Sequence, residues 1–271
     1  MVKYTKQLHF WTALVLALWV STAHAADEHV SIAAATEFAQ THPDGSGILA
    51  ITLTIEDGWH IYWPGVSDSG YGLSLDIDVP DSITLDEPIW PTPKRYLQPG
   101  DILDNVYEDT AMILVPFHLD ASAQPDAILA FEIGASFLVC DEICLPGTVT
   151  TTTTLAVVDP STKPTPTSSA SQIRKGYDAR PIVFDPHSDA VRLQWIADRS
   201  AIMFRDATKI EFFPSKDCTE LADPIASTLA EGNRLIIKFT QHTNKTLAGR
   251  VRVYERRRIV DYDIAVHAPE S

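Results

Sequence analysis

Residues 73–79 read Leu-Ser-Leu-Asp-Ile-Asp-Val, apolar and polar in strict turn, and the pattern stops at Pro80. A period of two places every apolar side chain on one face of an extended strand, whereas a helix would scatter them around its axis. The same pattern returns along the chain. Residues 47–55 alternate and end at Asp57-Gly58, and 111–119, 127–139 and 148–158 follow with turn residues between them. The threonine run 150–154 suits a strand because β-branched side chains fit the pleat. Further on, strands are predicted over 190–196, 209–213, 234–240, 249–254 and 259–266, with a short helix near 223–230. Many short strands at this spacing predict an all-β chain of sandwich type.

One segment breaks the pattern. Residues 159–171 read Asp-Pro-Ser-Thr-Lys-Pro-Thr-Pro-Thr-Ser-Ser-Ala-Ser, with almost nothing apolar. Such a composition predicts an extended linker. The expected organisation is a first β domain at 27–158, a linker at 159–173 and a second β domain at 174–271, two sandwiches in tandem.

The N-terminus points to export. Lys3 and Lys6 precede an apolar run over 10–20, and Ala23-His24-Ala25 then supplies a small-x-small cleavage pattern. An apolar run of about 11 residues is too short for a spanning helix, which takes roughly 20. Residues 1–25 are therefore expected to be a cleaved signal peptide, and the remainder a soluble periplasmic protein without stable membrane insertion. The formal charge is −15. Losing Lys3 and Lys6 makes it about −17, which repels nucleic acid and anionic lipid. The one basic cluster, Arg256-Arg257-Arg258, lies between two alternating stretches and reads as a solvated hairpin end.

The chain carries three cysteines, in a compartment where disulfides persist. Cys140 and Cys144 flank a three-residue turn, close enough for a disulfide. Cys218 is far away and leaves the count odd; it reads most simply as a buried thiol. The pair admits three roles. As an exchange pair, one sulfur attacks a partner disulfide and the other resolves the adduct. As a structural staple, a loop of about five residues constrains the unfolded chain by only about 2 kcal/mol, the low end for disulfides. As half a metal site, the pair would need help from residues such as His60, His118 or Cys218, because zinc takes four ligands. Asp141 and Glu142 lie between the cysteines and disfavour a nearby thiolate. The sequence contains no Gly-x-Ser-x-Gly elbow, phosphate loop, His-Glu-x-x-His or Cys-x-x-Cys.

Five motifs then occur in one order: Gly58-Trp59-His60-Ile61-Tyr62-Trp63, Ser67-Asp68-Ser69-Gly70, Trp90-Pro91-Thr92-Pro93, Tyr107-Glu108 and Phe137-Leu138-Val139-Cys140-x-x-x-Cys144-x-Pro146-Gly147. This resembles the N-terminal periplasmic domain of the thiol:disulfide interchange reductase DsbD, especially its ScsB-like relatives, over residues 45–158. The second domain is similar, more loosely, to the second β domain of the ScsB-like members. The resemblance implies an immunoglobulin-like sandwich that carries electrons through Cys140 and Cys144, with no metal or organic cofactor. It implies a DsbD-type membrane-embedded donor acting in trans and a thioredoxin-like periplasmic acceptor. It places Asp104-Asn105-Val106-Tyr107-Glu108 where DsbD has a loop capping the pair, with Tyr107 the candidate shield. Trp59, Tyr62, Trp63 and Trp90 are expected in the core, since large aromatics dominate sandwich interiors. A different reading keeps the scaffold and discards the chemistry: a two-domain adaptor for a redox or metal-handling partner, with Cys140–Cys144 as a permanent staple.

Overall fold

The computed structural model describes residues 29–269; the predicted signal peptide lies outside them. The regular structure of the described chain is almost entirely strand. Its first half holds Val30–Thr36 (β1), Gln40–Thr41 (β2), Ser46–Ile55 (β3), His60–Tyr62 (β4), Ser74–Asp78 (β5), Ile83–Leu85 (β6), Lys94–Gln98 (β7), Ile102–Tyr107 (β8), Thr110–Leu119 (β9), Ile128–Cys140 (β10) and Cys144–Val157 (β11). One sheet runs β1-β3-β9-β6. The other runs β2-β11-β10-β4-β8-β7, with β5 also paired to β10.

The period of two does what it predicted. Along β10, Leu129, Phe131, Ile133, Ala135, Phe137 and Val139 are all buried, and the residues between them face outward or are only partly covered. Their partners across the sandwich are Leu49, Ile51 and Leu53 on β3 and Ile113, Val115 and Phe117 on β9. The Phe117 and Phe131 rings meet at 5.3 Å between centroids, within the usual range for aromatic pairs.

The Pro/Ser/Thr segment differs from the expected free spacer. Ala39 N–H donates to Thr165 O, Thr167 N–H donates to Glu37 O, and the Arg174 guanidinium grips the Glu37 carboxylate. From Ala170 to Asp178 the chain is helical (α1), beginning before the expected boundary at 173. Ile173 packs on Ile48, Ala50 and Leu114, so β3 and β9 are covered on their outer face too. A single aliphatic anchor among serines gives no helical period to read, which is why composition alone pointed to coil.

The second half comprises Ile182–Val183 (β12), Val191–Ile196 (β13), Arg199–Phe204 (β14), Ala207–Pro214 (β15), Leu229–Glu231 (β16), Arg234–Lys238 (β17), Thr246–Glu255 (β18) and Ile259–His267 (β19). A β12-β19-β18-β15-β16 sheet faces a β13-β14-β17 sheet. Ile202, Phe204, Ile210, Phe212, Ile237 and Val251 fill the space between them. The short helix is Pro224–Ser227 (α2), capped by Asp223, whose side chain accepts from Ala226 N–H. The predicted strands are present; β12, β14 and β16 were not foreseen. The chain is thus all-β, with two sandwiches of immunoglobulin-like type.

The two halves share packed surface. Phe213, on β15, is buried with the first half's core, and its ring meets Trp63 edge-on at 6.5 Å. Arg250, almost fully buried, donates to Trp90 O, Thr92 Oγ1 and Asp263. Val66 N–H donates to Pro214 O. The Trp90-Pro91-Thr92 motif therefore serves as an anchor for the second half.

Candidate functional site

β10 ends at Cys140, Asp141-Glu142-Ile143 makes the turn, and β11 begins at Cys144. The register sets the two cysteines directly opposite, with Cα atoms 4.2 Å apart, and they are joined by a disulfide. Asp141 N–H donates to Ile143 O inside the turn. Pro146-Gly147 does not bend the chain away from the ladder. Pro146 stays in register opposite Leu138, and β11 has no strand on its other side at that point among the described residues. A proline lacks only the outward N–H there, so the ladder continues.

The two sulfurs live in different surroundings. Cys140 is 1 % exposed, whereas Cys144 and the turn residues are exposed, Ile143 to 60 %. Val139 points into the sandwich core, so Cys140 faces the outer surface of the sheet. There it forms a small cluster with Tyr62, Val106 and the partly buried Leu138. The Tyr62 hydroxyl donates to Cys140 Sγ at 3.5 Å. His60 pairs with Cys140 across β4 and β10; its ring lies 5.5 Å from that of Tyr62 and 4.9 Å from that of Tyr96. Burial pulls the His60 imidazole down from its ordinary pKa, against the opposing pull of Glu108, Asp104 and Asp141. Burial likewise pushes the Tyr62 phenol up, and the Asp104 charge adds to that.

The Ser67-Asp68-Ser69-Gly70 loop is tied to β8. Asp68 accepts from Leu103 N–H, and Ser67 Oγ accepts from Asn105 N–H. The Asp104 carboxylate is fully buried and accepts from Ser69 N–H, Ser69 Oγ–H and Gln98 Nε2. Gly70 has φ +70°, and a Cβ there would sit 2.5 Å from the Tyr62 ring. The loop therefore presses its backbone onto the tyrosine that touches Cys140.

The residues named from sequence separate accordingly. Cys140 and Cys144 meet. Tyr107 does not lie over them: it is 4 % exposed, sits in the main core and donates its hydroxyl to Pro91 O. Its segment is a central strand, not a loop, and neighbouring strand residues face opposite ways, so Val106 rather than Tyr107 turns toward Cys140. Trp63 is in the core, and Trp59 and Trp90 pack against it; Tyr62 belongs to the cysteine cluster instead. His118 lies on Asp86 at the surface. Cys218 is half-buried against the second core, and burial raises its thiol pKa. Tyr62 and Ser69 were not foreseen as site residues; His60 entered only as a conceivable zinc ligand, and Asp104 only as part of the expected cap. The alternation in Trp59-His60-Ile61-Tyr62-Trp63 held a signal, since it sets His60 and Tyr62 on one face and Ile61 on the other.

Residues 29–156 match the family described as thiol:disulfide interchange protein DsbD, N-terminal. Among solved structures, the chain is similar to the N-terminal periplasmic domain of ScsB from Proteus mirabilis, at 12 % identity with a TM-score of 0.56, covering 88 % of this chain and 94 % of that one. That likeness extends the shared fold across both halves. Two further matches have low TM-scores. The reduced DsbD N-terminal domain of Neisseria meningitidis matches at 14 % identity and TM-score 0.30, over 48 % of this chain and 86 % of that one. The DsbD N-terminal domain in complex with the PilB N-terminal domain, also from Neisseria meningitidis, matches at 17 % identity and TM-score 0.28, over 45 % and 80 %. No curated protein sequence matches the chain.

Proposed function

Because residues 29–156 match the DsbD N-terminal family of thiol:disulfide interchange proteins, we propose that this chain is a periplasmic dithiol carrier working through Cys140 and Cys144. The observation that carries the reading is the asymmetry of the pair: one sulfur at the surface, one sealed beneath it beside a hydroxyl donor.

Cys144 is the sulfur a partner can reach. To charge the carrier, a thiolate of a donor dithiol attacks Cys144 Sγ in line with the disulfide. The Cys140–Cys144 bond breaks, its electron pair stays on Cys140 Sγ, and a mixed disulfide joins Cys144 to the donor. The donor's second thiolate then attacks its own mixed-disulfide sulfur and releases Cys144 as a thiolate. The donor is oxidised by two electrons and the pair is reduced. Discharge runs the same steps backward: Cys144 attacks the acceptor's disulfide, and Cys140 resolves the adduct by re-forming the bridge. Neither step calls for a metal or an organic cofactor.

The donor in this reading is a membrane-embedded electron transporter, and the acceptor a thioredoxin-like periplasmic protein. The exposed Ile143, and the partly exposed Tyr96 ring beside His60, supply apolar surface near the pair for such partners. No helix among the described residues is long and apolar enough to cross a membrane. The domain division at 27–158 and 174–271 belongs to the same proposal.

Trapping tests it. Cys140→Ala leaves the surface sulfur without its resolving partner, so a thioredoxin-like protein should accumulate as a mixed disulfide on non-reducing gels; Cys144→Ala should trap none. Failure of any thioredoxin-like dithiol to reduce the wild-type bridge in the folded protein would leave only the adaptor reading, with the bridge a staple.

A further inference from the structure

Resting on the carrier reading, we propose that Ser69 and Asp104 are positioning residues for the exchange: together they hold the Tyr62 hydroxyl as a fixed hydrogen-bond donor for Cys140 Sγ, which is the leaving sulfur when the carrier is charged. The chain of contacts is continuous from a buried acid to the sulfur. Asp104 Oδ2 accepts the Ser69 hydroxyl hydrogen at 2.7 Å, and Asp104 Oδ1 accepts the Ser69 amide at 2.9 Å. Gln98 Nε2 adds a third donor at 2.7 Å. A carboxylate with no exposed surface and three donors is fixed in place.

The direction of hydrogen bonding follows. A hydroxyl has one hydrogen, and Ser69 gives its own to Asp104. Its oxygen then faces the Tyr62 hydroxyl, 3.3 Å away, as an acceptor. Tyr62 therefore has one hydrogen and two takers, Ser69 Oγ and Cys140 Sγ at 3.5 Å. While the disulfide is intact, sulfur is a weak acceptor and the two compete. When the bond breaks, the electron pair makes Cys140 Sγ an anion, and hydrogen bonds to ionised groups are roughly twice as strong as neutral ones. The phenol hydrogen then belongs to the sulfur. No proton leaves the tyrosine, and its raised pKa keeps it protonated. Gly70, packed against the ring with no room for a Cβ, stops the phenol from swinging away. The acid lies two hydroxyls back from the sulfur, where it orients the donor more than it repels the thiolate.

Other groups bear on the charge of Cys140 from the surrounding elements: His60 on β4, Tyr96 on β7, Glu108 beyond β8, and Asp141 and Glu142 in the turn. The variants must therefore leave these untouched. In the full chain carrying Cys144→Ala and Cys218→Ala, Cys140 is the single thiol, and the ultraviolet absorbance of its thiolate gives its pKa directly. Adding Tyr62→Phe, which keeps the ring and removes the donor, should raise that pKa by about one unit, a tenfold loss of thiolate at a given pH. Ser69→Ala should raise it in the same direction by less, and Ser69→Thr, which restores the hydroxyl, should bring it back. In the otherwise wild-type chain, Tyr62→Phe should slow charging by a donor dithiol severalfold, less than tenfold because the leaving sulfur carries only part of the charge in the transition state. An unchanged pKa in Tyr62→Phe, or a shift in Ser69→Ala that threonine does not reverse, overturns the assignment. The titration needs no redox partner. If the bridge resists reduction the carrier reading fails while the titration still decides this one; if exchange proceeds with unchanged pKa values, only the positioning role falls.

Discussion

Two hairpins of this molecule end in the same way and are closed by different means. β10 and β11 are joined by Asp141-Glu142-Ile143, and β18 and β19 by Arg256-Arg257-Arg258, each a three-residue connection between long antiparallel strands. The first is bridged by a disulfide. The second is closed by a hydrogen bond from Glu255 N–H to Arg258 O and an ion pair between the same two side chains. Ladder hydrogen bonds, packing and a short turn thus suffice to hold such an end together, and the bridge at the first hairpin is not demanded by the fold. That favours a chemical role for the sulfurs over a structural one, independently of any relative.

The comparison is open to attack at several strengths. The heaviest test lies beneath the strands: Phe137→Ala under the first hairpin and Phe212→Ala beside the second should each cost about 3–5 kcal/mol in chemical denaturation. Similar losses would mean that apolar packing carries both ends alike. Reduction of the bridge, by contrast, should cost only about 2 kcal/mol, because it closes a loop of about five residues. Loss of the native state on adding dithiothreitol would put the staple back in charge. A smaller effect is expected from the turn charges. Asp141→Asn with Glu142→Gln should lower the Cys144 thiol pKa, read in a Cys140→Ala chain from alkylation rate against pH, by up to about one unit. Smallest of all, Glu255→Gln should barely move the unfolding midpoint, and what it does move should vanish in high salt, as expected for an exposed ion pair.

Acid offers a further contrast. His60 has its pKa lowered by burial, so the unfolded chain binds its proton more readily than the folded one. Stability from this site is fully present above the ordinary histidine value near 6.5 and is lost as pH falls below it. Stability should therefore drop on acidification from neutral pH, and His60→Gln should flatten that slope in a denaturation series. An unchanged slope would show that some other group controls it.

Much of the scaffold could be read from the residues because many strands carry their own period of two; β5 and β10 needed no knowledge of their partners. What escaped depended on partners far away in sequence. α1 is held by one isoleucine and one arginine whose targets lie about 60 to 137 residues earlier, and β14 is so evenly buried that little alternation remains. The site behaved likewise. The cysteine spacing was plain, but Tyr62 was assigned to the core with its tryptophan neighbours, and Tyr107 was set over the pair by analogy with a loop that is a strand here. Ser69 reaches Asp104 across 35 positions, a relation no local window contains.

Phe213 has one more consequence. Its ring, carried by the second half, completes the hydrophobic interior of the first beside Trp63. A protease cut or a cloning boundary in the Pro/Ser/Thr stretch would therefore not yield two independent modules. The cysteine-bearing half, expressed alone, would show an unfilled aromatic notch to water and tend to self-associate, so any graft of this domain onto another protein must bring β15 with it.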